Sequence, residues 1–278
     1  MQVIRTTLLG FIGVVAVSLA ACGGSSIVPG ATAPSTPNPN STGTAVVRFV
    51  AGSPDIGTTT APGNFDVYVD GVLLISQLPY SAVTPYYLIS GGVTHKIEFD
   101  TPGTTTAIVP AVTTPVLSGA NKQITVVLAG TAAKNNVQMQ LFSEPAYTNT
   151  TLQGVVNFHH SAPSYASNID WGTYSPGSTN YSVSSTVTFA GGAAPMPQPI
   201  PSLVPAAAAT APGIGFYVIA NGQTASSTTA PAAKLEPVAI DPANTAALFP
   251  FPGDYHLSIF AIDPKGTTAV VQLVARFD

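Results

Sequence analysis

The sequence predicts an all-β chain in which two sandwich domains follow one another. Three observations predict it. Phe65, Val67 and Val69 alternate with Asp66, Tyr68 and Asp70, and Val47, Phe49 and Ala51 alternate with Val46, Arg48 and Val50. A period of two is the mark of strands with one face on a core. Thr and Val are abundant and the 278 residues include 26 Pro and 25 Gly, which favours strands and turns over helices. Finally, the opening stretch Val46–Pro54, VVRFVAGSP, recurs without a gap as Val155–Pro163, VVNFHHSAP. Self-similarity at a distance indicates a repeated module. Two domains suit the length, with one large sandwich as the alternative.

Composition narrows the function classes. The formal charge is −4 and charged residues make up 7% of the chain, against about 25% in ordinary soluble proteins. The surface is therefore neutral and hydrogen-bonding. It cannot neutralise a row of phosphates, which argues against nucleic acid as a partner.

At the N-terminus, Met1–Thr7 carries one positive charge, Arg5, and Leu8–Ala21 is an uncharged apolar run. That run is short for a membrane span and fits a secretory signal. It ends in Leu19-Ala20-Ala21-Cys22, which resembles the bacterial lipoprotein signal. The resemblance implies cleavage after residue 21 and lipid on Cys22, and two or more chains give stable anchoring. The alternative is a simple secreted protein. Cys22 is the single cysteine, so an acylated Cys22 leaves no disulfide or thiolate chemistry. Residues 22–44 then form a charge-free tether rich in Gly, Ser, Pro and Thr, with nothing to bury. A flexible chain of this length holds a domain about 25 Å from the membrane. The absence of an acidic residue after Cys22 favours the outer membrane, if the cell has one.

The first domain is expected over 45–145. Asp70-Gly71 supplies the left-handed backbone of a tight hairpin. Strands are expected at Tyr86–Ser90, His95–Phe99, Lys122–Ala129 and Val137–Phe142, the last with Val137, Met139 and Leu141 inward and its two Gln outward. Short strands at turn-punctuated spacing, with no helical stripe, read as an immunoglobulin-like sandwich. The second, divergent domain is expected over 152–278. There Tyr181–Gly192 echoes Tyr80–Gly92, and Gly253–Val271 echoes Gly92–Val109, which makes His256 the counterpart of His95. Gly215–Gly222 and Lys234–Ile240 are further strand candidates, and Val271–Phe277 closes the chain as a strand. Residues 193–213 read as a Pro-rich loop, because the Pro spacing forbids a helix or a central strand.

Val47–Asp55, VRFVAGSPD, followed by Phe65–Gly71, FDVYVDG, resembles the bacterial family of domain of unknown function 4397. The likeness is good over about 45–130 and weaker over 155–278. It implies exported β-sandwich domains, often in tandem on lipoproteins, and it implies no reaction and no catalytic residue. Ala51 stands where that family has His, whereas His160 keeps it. IDWGTYSPG, from Ile169, replaces the Asp-Val-Tyr-Val-Asp-Gly strand.

Candidate chemistry is sparse. His159 and His160 are strand neighbours and point to opposite faces, so they do not share a metal readily. Asp55, Asp66 and Asp70 offer oxygens for calcium, but Asp55 closing a Ser-Pro-Asp turn and Asp70 serving the hairpin is the plainer reading. No phosphate-binding loop, nucleophile elbow or zinc-protease motif occurs. Ligand-binding candidates are Tyr68, Tyr86, Trp171 and His160, the aromatics forming a sugar-binding face against the alternative of ordinary strand aromatics. No cofactor, metal or catalytic residue is assigned. The expectation is a lipid-anchored envelope protein with a structural, adhesive or ligand-presenting role. Its partners would be the membrane and either envelope polysaccharide or another envelope protein. The alternatives are a glycan-binding module and an envelope hydrolase using carboxylates.

Overall fold

The computed structural model describes residues 43–58, 61–119, 122–144, 153–175, 181–192, 196–199, 215–226, 229–235, 256–266 and 269–277. The expected signal segment, Cys22 and the tether up to residue 42 lie outside these residues, as does most of the Pro-rich stretch. Among the described residues the chain is all-β, with one 3-10 turn at Ala132–Lys134.

The N-terminal half contains β1 (Thr44–Ala51), the small pair β2 (Gly57–Thr58) and β3 (Ala61–Pro62), β4 (Phe65–Val69), β5 (Val72–Leu78), β6 (Tyr87–Ser90), β7 (Lys96–Asp100), β8 (Val112–Thr113), β9 (Gln123–Ala129) and β10 (Gln138–Ser143). An inner sheet has the order β10-β9-β1-β6 and an outer sheet the order β5-β4-β7-β8. β1 runs parallel to β9, and all other pairs in this half are antiparallel. The β4–β5 turn is made by Asp70 and Gly71 at φ 53° and 76°, as the sequence predicts. Val47, Phe49 and Ala51 meet Phe65, Val67, Ile97 and Phe99 in a core between the two sheets.

The C-terminal half contains β11 (Gln153–Ser161), β12 (Asn168–Tyr174), β13 (Tyr181–Thr188), β14 (Met196–Pro199), β15 (Gly215–Ala220), β16 (Ala233–Leu235), β17 (His256–Ile262) and β18 (Gln272–Phe277). Its inner sheet is β14-β11-β17-β18 and its outer sheet β13-β12-β15-β16. Leaving β2 and β3 aside, the strands follow the same order as in the N-terminal half, including the parallel pair β11–β17. Phe158, Trp171, Phe216 and Ile259 lie in its core.

A third apolar cluster joins the halves. Val50, Val127, Ala129 and Phe142 of one inner sheet pack on Phe260, Ile262 and Val274 of the other. Each inner sheet is thus covered on both faces, which explains the nearly continuous apolar runs of β1, β9, β11 and β17. Gly52 marks a close approach, since a Cβ there would lie 2.9 Å from the Leu128 carbonyl oxygen and 3.0 Å from Ile262 Cγ2. The face expected to meet solvent therefore meets the other half, and Gln140, expected outward, is buried there.

Two of the internal echoes are corrected by the register. Ser81 and Ala190, both at positive φ, donate their N–H groups to the carbonyls of Ala51 and His160, which are aligned residues. The stretch around 188–192 thus corresponds to 79–83, and Tyr181–Gly192 does not match Tyr80–Gly92. β17 occupies the place of β9 beside the first strand, not that of β7 in the outer sheet. His256 and His95 are therefore not counterparts. Short Gly- and Thr-rich segments resemble one another for reasons of turn chemistry and strand propensity, whatever their place in a sheet. Four residues of the Pro-rich stretch form β14, with Pro197 opposite Val155 and Pro199 opposite Gln153. It is an edge strand, the place in a sheet where a missing N–H is tolerated.

Candidate functional site

The most heavily charged interior lies in the seam between the inner sheets. Arg48 is fully buried there. Its Nε donates to Thr125 Oγ1 at 2.7 Å, and one terminal nitrogen donates to Glu144 Oε1 at 2.9 Å and to Ser258 Oγ at 2.6 Å. The guanidinium lies 4.7 Å from the Tyr86 ring centre and 5.2 Å from that of Phe260. Glu144 also accepts from Thr125 Oγ1 at 2.7 Å. His159 Nε2 is 3.0 Å from Glu144 Oε1, although the ring makes no well-aligned hydrogen bond and instead stacks on Phe260. Burial alone would raise the Glu144 pKa. The His159 ring, the Arg48 charge and the Thr125 hydroxyl outweigh it and lower it to about 2. Chemically this is a closed ion pair within the N-terminal half, and Ser258 and His159 bring the C-terminal half against it.

Other seam contacts are polar as well. Tyr80 Oη lies 2.7 Å from the Asp263 carbonyl oxygen and 2.8 Å from Gln272 Oε1, and its burial pushes the phenol up to about 12. Lys134 Nζ and Asn136 Nδ2 donate to Ser164, each at 3.0 Å.

The sequence-predicted candidates do not converge. Trp171 is buried, stacks on Phe158 with ring centres 4.9 Å apart, and donates Nε1–H to Ser185 Oγ. His160 is fully buried, with Nε2 2.7 Å from the Ala166 carbonyl oxygen, and burial lowers its pKa. Tyr86 flanks Arg48 in the seam, and Tyr68 lies on β4 of the N-terminal outer sheet. The expected aromatic face on Tyr68, Tyr86 and Trp171 is therefore not assembled: Trp171 faces its own core, Tyr86 lies in the seam and Tyr68 is on an outer sheet.

The three aspartates also separate. Asp55 accepts the N–H groups of Ala132 and Ala133 and so caps the 3-10 turn, not a turn of its own. Asp66 accepts from Gln77 N–H and Gly103 N–H, both at 2.8 Å. Asp70 Oδ2 is 2.7 Å from His95 Nδ1. Among the described residues no three His, Cys, Asp or Glu side chains gather to hold a metal.

One aromatic group does assemble, and it was not singled out by the sequence reading. On the outer face of the C-terminal outer sheet, Tyr174 pairs across the ladder with Tyr181, and Tyr217 pairs with Lys234. Tyr174 and Tyr181 have ring centres 5.8 Å apart, and Tyr181 meets Tyr217 edge-on at 5.1 Å. Lys234 Nζ stands 4.9 Å from the Tyr174 ring centre and 5.1 Å from that of Tyr181. Two strand-interior glycines make room. A Cβ on Gly215 would collide with the Tyr174 ring, and one on Gly172, beside the β12–β13 register shift, would collide with the Ser182 carbonyl and lie 2.9 Å from Tyr217 Cε1. The only advance signal was the pair of glycines inside strands, which implies a close approach.

No curated protein matches this chain. Residues 45–172 match the profile of a family described as domain of unknown function (DUF4397), a stretch that spans the whole N-terminal half and ends within β12.

Proposed function

We propose that the protein is an exported lipoprotein of the cell envelope, most consistent with the outer membrane, that presents a folded surface and does not catalyse a reaction. The observation that carries this is Leu19-Ala20-Ala21-Cys22 at the end of the apolar run Leu8–Ala21, followed by a charge-free tether. The lipid on Cys22 anchors the chain. Two immunoglobulin-like sandwiches in tandem then stand off the membrane as a structural, adhesive or ligand-presenting unit. The shared strand order of the halves supports the tandem reading, and the apolar cluster between the inner sheets, with the Arg48–Ser258 bond across it, supports a single stiff body. Envelope polysaccharide or a second envelope protein is the partner class.

Replacing Cys22 with Ser tests the anchor. The variant is expected in the soluble fraction after cell breakage, whereas the parent sediments with membranes. Unchanged fractionation contradicts the anchor. Saturable turnover of an envelope polymer, lost with one side-chain change, would contradict the non-catalytic role.

A further inference from the structure

We propose that the tyrosines on the C-terminal outer sheet form a binding site for a small methylated ammonium cation, and that Lys234 occupies this site in the ligand-free chain. The site does not depend on the lipid anchor. It also involves Tyr174, Tyr181 and Lys234, which lie beyond the stretch matching the family profile.

The argument starts from register. Tyr181, Tyr174, Gly215 and Gly172, Tyr217, Lys234 follow one another across neighbouring strands and share one face of the sheet. Gly in a strand interior weakens it. Gly215 stands where any side chain would displace the Tyr174 ring, and a Cβ on Gly172 would meet the Ser182 backbone first and then the edge of Tyr217. Tyr174 and Tyr217 are buried and Tyr181 is half-buried, so two rings are fixed and the third forms the accessible wall. Burial, with Asp170 and Tyr181 nearby, raises the Tyr217 pKa, so its phenol stays neutral. Its buried hydroxyl has no hydrogen-bond partner among the described residues.

Aromatic faces attract cations through the ring quadrupole, and walls of several rings suit quaternary ammonium groups. The ammonium of Lys234 already occupies that position, near both Tyr174 and Tyr181. Lys234 is exposed and its stem is flexible, so it can leave. A primary ammonium is strongly hydrated and loses more on entering an aromatic site than a methylated one does. A methylated cation is therefore the better guest, and Lys234 acts as a competitor that lowers its apparent affinity.

Choline is the probe, titrated into the folded chain and followed by saturation-transfer NMR and calorimetry. Its neutral isostere 3,3-dimethylbutanol is the control. Saturable choline binding without isostere binding is expected. Lys234→Ala removes the competitor and should tighten choline by about 2- to 5-fold, the equivalent of one exposed cation–π contact. Tyr181→Ala should abolish binding, and Tyr181→Phe should retain it, which separates a lost wall from a damaged fold. Equal binding of the isostere, no tightening in Lys234→Ala, or no saturable choline binding to either protein would each overturn the proposal.

Discussion

Arg48 is the residue on which the meeting of the two halves turns. A buried guanidinium is tolerated only when its donors are paired and its faces covered, and here carboxylate, hydroxyls and aromatic rings do both. Removing one partner leaves the other charged and buried. Arg48→Ala is expected to destabilise the fold by about 3–5 kcal/mol, while the paired change Arg48→Met with Glu144→Leu recovers most of that loss. Denaturant midpoints of the three proteins check it. Glu144 also sets an acid limit. Its folded pKa, about 2, lies below the ordinary 4.5, so its contribution is complete above 4.5 and is lost as pH falls from 4.5 towards 2. Glu144→Gln should flatten that part of the stability profile, and an unchanged acid limb would contradict the assignment. The sequence placed Arg48 on the face opposite Phe49, which is correct. It could not say that this face is interior, because a lone Arg among Val residues reads as a solvated strand face.

At the level of elements, each outer sheet is tied by one buried aspartate. Asp66 on β4 accepts from Gln77, in β5, and from Gly103, beyond β7. Asp170, its counterpart on β12, accepts from Thr186 Oγ1, Asn221 Nδ2 and Gly222 N–H. Those bonds lower the Asp170 pKa against the opposing effect of burial. Asp66→Ala and Asp170→Ala are each expected to cost about 1–3 kcal/mol, because buried donors lose their acceptor. Thermal midpoints check this, and a shift confined to one of the two variants would break the equivalence. β4 was legible because its alternation is strict, and β1, β9 and β18 because one face of each is apolar throughout; the Val50, Val127 and Val274 on their other faces belong to the seam. β14 was not, because its prolines argue against a strand everywhere except at an edge. The aromatic site was missed for a related reason: Tyr217 is distant in sequence from Tyr174 and Tyr181 and joins them only through the order β13-β12-β15.

On the scale of the whole molecule, the two halves are held inner sheet to inner sheet by an apolar cluster and by cross-seam bonds at Tyr80, Arg48 and Ser164. The repeat of the opening stretch was visible in the sequence, but the seam was not, since its residues look like ordinary outward positions in each half. A separate half would expose Val50, Val127 and Phe142, or Phe260, Ile262 and Val274, and would strip the Arg48–Glu144 pair of its contacts with Ser258 and His159 from the other half. The halves should therefore unfold together. The single tryptophan, Trp171, reports on the C-terminal core alone. Val67 is fully buried in the N-terminal core. The direct measurement is denaturant unfolding of Val67→Ala followed by Trp171 fluorescence and by circular dichroism. The account predicts that both signals shift to the same lower midpoint. A Trp171 transition unmoved from that of the parent protein would contradict it.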